Sequence, residues 1–142
     1  MTPLERLNER ISQTGYINDP EAPRPLVSLE EFFEGNDDYG SIGYNFYRDQ
    51  PAPNEFYALF KSIRSQPDVA NVLVEVCQQE MRDEWPSTDT VWIITSAPAD
   101  RVATWLGDRF QANEIFDGWT DHVRREDYEI PFGMKPIGIW WD

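Results

Sequence analysis

Three features predict an α+β fold: short apolar segments alternate between period-two and helical spacing, capping motifs separate them, and their order is strand, helix, strand, strand, helix, strand. That order matches a ferredoxin-like βαββαβ arrangement, in which a four-stranded antiparallel-rich sheet carries both crossover helices on one face. The expectation is one domain, with an N-terminal helical extension over residues 1–35, a sheet core over 41–142 and an irregular insertion before the last strand.

Thr2, Pro3 and Glu5 supply an N-cap, a first-position proline and a capping-box carboxylate. With Leu4, Leu7 and Ile11 on one stripe they predict a helix over about residues 3–13, ended by Gly15. "NDPEAPRP", Asn18 to Pro25, holds three prolines and predicts an extended crossing. Ser28-Leu29-Glu30-Glu31 is a second capping box, opening a short helix with Leu29, Phe32 and Phe33 that stops at Gly35.

From Ser41, Ile42, Tyr44 and Phe46 alternate with Gly43, Asn45 and Tyr47, which predicts the first strand. Phe56, Tyr57, Leu59, Phe60 and Ile63 mark a helix from Asn54 to Gln66, stopped by Pro67. In Asn71 to Gln79, Val72, Val74 and Val76 oppose Leu73, Glu75 and Cys77, as in a strand with one apolar face. "TVWIIT", Thr90 to Thr95, is apolar on both sides and reads as a central strand. Ser96 is expected to cap a helix bearing Val102, Trp105 and Leu106, with Gly107 as its stop. Residues 108–136 show weak periodicity, and "IGIWW" closes the sheet. The sheet face bearing Leu73, Glu75, Trp92 and Trp140 is expected to be open unless something covers it.

Aromatic residues make up 14% of the chain and charged residues 27%, a composition that folds rather than stays disordered. No apolar run approaches the roughly 20 residues of a membrane span and no signal-peptide core is evident, so a cytoplasmic protein is expected. The formal net charge of -14 repels phosphate backbones and anionic lipid, arguing against nucleic-acid and membrane partners and for basic ones.

The loop "GNDDYG" (Gly35 to Gly40) fails both registers of a calcium-binding EF-hand, and it precedes a strand where a phosphate loop would follow one. A structural turn is the simpler reading. His122 is the single histidine, and any Ser-His-Asp hydrolase would have to pair it with Ser96, yet "ITSAPA" lacks the glycines of a nucleophile elbow. Cys77 is the single cysteine, which excludes an internal disulfide, and Glu75, two residues away on the same strand face, would raise its pKa. No catalytic group and no cofactor is therefore assigned, and the chain reads as a binding protein more readily than as an enzyme.

The binding residues picked out are Asp37, Asp38 and Tyr39 in one acidic connector, Asp83, Glu84 and Trp85 in another, and Trp119 beyond them. Carboxylates rimming aromatics suit lysine or arginine from a partner, through ion pairing and cation–π contact. The function expected is an acidic interaction module for a basic partner, such as an inhibitor or immunity-type protein. The alternative is a small-molecule-binding or enzymatic domain using the open sheet face or the loops around Asp37, Asp83 and His122.

Overall fold

The computed structural model describes residues 1–15, 19, 21–46, 49–79 and 81–142. Helix α1 (Pro3–Ser12) starts where Thr2 Oγ1 accepts from the Glu5 amide, and it buries Leu7 and Ile11. A short strand, β1 (Leu26–Ser28), runs directly into α2 (Leu29–Phe33), whose capping box is closed in both directions by Ser28 and Glu31. Helix α3 (Pro53–Arg64) buries Phe56, Phe60 and Ile63. Arg64 grips Glu30 of α2 with two hydrogen bonds of 2.8 and 2.7 Å, which hold that carboxyl below its ordinary pKa and fix the two helices together.

Strands β2 (Val69–Glu75) and β3 (Thr90–Thr95) follow, then α4 (Ala99–Leu106), β4 (Glu114–Asp117) and β5 (Lys135–Trp140). The described strands form one antiparallel sheet in the order β1-β2-β3-β5-β4. β5 lies antiparallel between β3 and β4, so β3–α4–β4 is a split crossover unit. The sheet has five strands where four were expected, and its order is not the ferredoxin-like one.

Two corrections account for the difference. The strand expected from Ser41 does not form: a 3₁₀ turn occupies Tyr39–Ser41, Gly43 takes φ +68°, and Tyr44 is 73% exposed. A left-handed residue breaks the pleat that alternation requires. A Cβ on Gly43 would also stand 2.9 Å from Phe56 Cζ. Among the described residues of this run, only Ile42 touches a strand-like partner, Thr88. In its place the supposed helical extension supplies β1, whose Val27 lies opposite Val74, and the supposed irregular insertion supplies β4. Tyr47, and Asn18 and Pro20 of the proline-rich crossing, lie outside the described residues.

Alternation sorts the sheet into two buried faces. Val27, Val72, Val74, Val91, Ile93, Ile137 and Ile139 meet the helices in the main core. Leu26, Leu73, Trp92 and Ile94 form a second core, packed against Phe116, Tyr128, Ile130 and Met134. The face expected to be open is thus roofed by part of the segment over residues 118–134. Ser96 is not the α4 cap either: Pro98 holds that position, and the Thr95 hydroxyl accepts from the Ala97 amide.

Gly138 sits between Trp92 and Phe116 in the sheet register. A Cβ there would lie 2.7 Å from Trp92 Cζ3 and 3.1 Å from Phe116 Cδ2. Trp92 cannot yield, because its indole donates to Glu75 at 2.9 Å. Gly138→Ala is therefore expected to lower stability by about 1–3 kcal/mol, the cost of overpacking a core. Urea unfolding checks this, and a midpoint equal to that of the wild type would refute it.

Candidate functional site

The "GNDDYG" loop is built from its own side chains. The Asn36 amide donates to Ser41 Oγ at 2.9 Å while its oxygen accepts from the Asp38 amide, and Asp38 Oδ1 accepts from the Gly40 amide at 2.8 Å. Chain reversal needs no metal here, because the carboxylate and amide replace backbone partners. The loop is then tied to the second connector: the Thr88 amide donates to Ser41 O at 2.8 Å, and the Trp85 indole donates to Phe32 O at 2.9 Å.

This pairing brings the two acidic connectors to one end of the sheet. They wall a cleft of about 480 Å³ whose lining includes Asp38, Tyr44, Glu84, Trp85, Asp89 and Asp142. Among the described residues, no lysine, arginine or histidine lines it. Cys77 lies in the same wall, between Glu75 and the Ser87 segment it pairs with, and burial first and Asp89 second push its thiol up to about 11. That direction was expected, although the charge responsible is Asp89 rather than Glu75. A thiol so shifted stays protonated near neutral pH and is a poor nucleophile.

Of the residues singled out in the sequence, Asp38, Glu84 and Trp85 therefore share one cleft. Tyr39 is 54% exposed in the 3₁₀ turn beside it, and Asp37 is exposed without lining it. Asp83 points elsewhere, to a groove along α1 lined by Leu4, Glu5, Asn8 and Arg82. Trp119 is on the opposite sheet face, 4.7 Å from Trp92 in an edge-on contact. A single aromatic patch spanning Trp85 and Trp119 is not formed.

That opposite face holds a charge cluster which the sequence reading did not assemble. Glu75 is 1% exposed. Its Oε1 accepts from Trp92 Nε1 and Arg125 Nε, both at 2.9 Å, and its Oε2 accepts from Arg24 Nη1 at 2.9 Å. Arg125 also donates to Thr120 twice and lies 5.0 and 5.3 Å from the Trp92 and Trp119 rings. A buried carboxylate demands such partners. One signal was visible in advance, a lone glutamate within "VLVEV", but its arginines lie 50 and 51 positions away.

His122 is exposed and borders a cavity on this face, together with Arg24, Glu75 and Glu114. Asp83 and His122 thus line different cavities, and Asp37, although its loop meets the Asp83 connector at the sheet end, lines neither of them. Among the described residues, no group of three or more His, Cys, Asp or Glu side chains is placed to hold a metal ion, and no helix is long and apolar enough to cross a membrane.

The Uncharacterized protein YfbO family matches residues 2–139 of the chain. Over all 142 residues, covering the whole of both chains, the sequence is 37% identical to the Uncharacterized protein YfbO of Escherichia coli (strain K12). No solved structure matches.

Proposed function

The chain belongs to the Uncharacterized protein YfbO family, and we propose that this member is an acidic protein-interaction module whose cleft beside Asp89 receives a basic protein partner, as an inhibitor or immunity-type protein would. One observation carries the reading: the two connectors that supply carboxylates to the cleft also bear Tyr39, Tyr44 and Met81, at 54%, 73% and 55% exposure. Large apolar side chains left in water beside unpaired-sign charge are the usual make-up of a protein-binding surface, where aromatic anchors carry affinity and rim charges steer approach. A net charge of -14 would speed the capture of a cation through its long-range field.

The test is a binding measurement on a basic partner obtained by crosslinking and capture. Asp38→Asn keeps the oxygen that caps Gly40, and Glu84 is exposed, so the double variant Asp38→Asn/Glu84→Gln removes charge without removing the turn. It is expected to weaken binding about tenfold at low salt and far less near 1 M, where the screening length falls to about 3 Å. Asp83→Asn, directed to the α1 groove, should leave affinity unchanged. Equal low-salt affinity for wild type and double variant would remove the cleft as the binding surface.

A further inference from the structure

The two edges of the sheet are finished differently. Along β1 the outer side is taken up: the Arg24 amide donates to Arg124 O at 3.0 Å, the Glu126 amide donates to Arg24 O at 2.9 Å, and Glu126 Oε1 accepts from the Leu26 amide. β4 stands at the other end of the order β1-β2-β3-β5-β4, with β5 on one side and no strand on the other.

The ladder shows which backbone groups of β4 face outward. In an antiparallel pair, alternate residues exchange both hydrogen bonds with the partner strand, and the residues between them turn their N–H and C=O the other way. The Gly118 amide donates to Pro136 O at 2.9 Å, one step beyond the Asp117↔Ile137 pair. Phe116 and Glu114 therefore bond inward to β5, while Ile115 and Asp117 present N–H and C=O outward. Among the described residues, no other element takes these groups. Donors and acceptors in a row at strand spacing are half of a ladder, and their complement is another extended chain.

The side chains select the occupant. Proline, lysine or a bulge commonly blunts an exposed edge, yet Glu114–Asp117 reads EIFD and pairs with β5 in unbroken register. Its exposed ends are carboxylates. Asp117 is already answered by Lys135 Nζ at 2.7 Å, whereas Glu114 is in no ion pair among the described residues. A second copy of the chain would carry the same acidic edge and a further net charge of -14, so self-pairing is opposed and a cationic strand is favoured.

We propose that β4 is a docking edge onto which an extended, lysine- or arginine-bearing segment of another protein adds as the next strand. Backbone bonds to Ile115 and Asp117 hold the segment, and a cationic side chain opposite Glu114 selects it. None of Glu114, Ile115, Phe116 and Asp117 lines the cleft beside Asp89, so the inference does not rest on that reading.

Three capped hexapeptides test it against the full, isotope-labelled chain by amide NMR at about 0.15 M salt: alternating lysine and valine, alternating glutamate and valine, and the lysine sequence N-methylated at its central residues. The lysine peptide is expected to bind and, at saturation, to slow exchange of the Ile115 and Asp117 amides about tenfold. The glutamate and methylated peptides should bind about tenfold more weakly or worse. Glu114→Gln should weaken the lysine peptide about threefold, as for an exposed ion pair. Asp117→Pro deletes an outward N–H and spares the ladder to β5, so it should weaken binding about tenfold beyond Asp117→Asn, which keeps that amide. If Asp117→Pro fails to fold, the methylated peptide decides alone. Asp38→Asn/Glu84→Gln should leave peptide binding intact, because those residues line only the cleft. The proposal is overturned if the lysine peptide does not bind, if the glutamate or methylated peptide matches it, if protection appears at the cleft and not at Ile115 and Asp117, or if self-association already protects those amides before peptide is added.

Discussion

Arg125→Ala is expected to destabilise the protein by about 3–5 kcal/mol, the range for stripping one partner from a buried ion pair. The side chain of Glu75 is 2% exposed and that of Arg125 9% exposed, so water cannot replace the lost guanidinium. Arg24 remains on the second oxygen, yet its side chain is 25% exposed. The same substitution also removes both hydrogen bonds to Thr120 and the cation stacked on Trp92 and Trp119, releasing the roof over the second core. Adding Glu75→Gln to Arg125→Ala should recover part of the loss, because the orphaned charge is then gone. Urea unfolding of the wild type and the two variants measures this directly. A loss under about 1 kcal/mol for Arg125→Ala would place the pair among exposed salt bridges instead.

Phe56→Ala is expected to cost a comparable 3–5 kcal/mol or so, as for other buried aromatic truncations. Phe56 is fully buried, with Phe110 and Trp141 edge-on at centroid distances of 5.2 and 5.4 Å and Phe46 at 5.8 Å. Its ring tip also backs Gly43, so the truncation reaches the cleft as well as the core. Amide exchange should show residues 41–46 opening more readily in this variant than the β2–β3 ladder does. Uniform change across both regions would deny that Phe56 braces the loop.

The four α-helices among the described residues were legible in the sequence because their signals are local: a cap three residues from its acceptor, a proline at the first turn, an apolar stripe. β2, β3 and β5 were legible because Val72 to Val76, Thr90 to Thr95 and Ile137 to Ile139 carry buried alternation through the middle of the sheet. Ile42, Tyr44 and Phe46 imitate that alternation, and nothing in their spacing shows that Gly43 is left-handed. β1 and β4, of 3 and 4 residues, are too short to show a period at all and are defined by the partners they meet. The candidate site was legible as two acidic connectors, whereas Asp89 and Asp142 join it only through the strand ends that present them. The roof over Glu75 was invisible because an arginine's partner is set by tertiary geometry, not by neighbours in the chain.

The contacts of the N-terminal segment bear on how the polypeptide can mature on a ribosome. Arg10 bonds to Glu126 across 116 positions, the Arg24 amide donates to Arg124 O, and the Glu126 amide donates back to Arg24 O. Residues of α1 and of the segment before β1 therefore have partners that are synthesised about a hundred positions later. At about 5–20 residues per second, Arg10 and the Arg24 backbone wait several seconds or longer for these partners. A nascent chain arrested before residue 120 should accordingly be a substrate for holding chaperones, and one released with β5 complete should not.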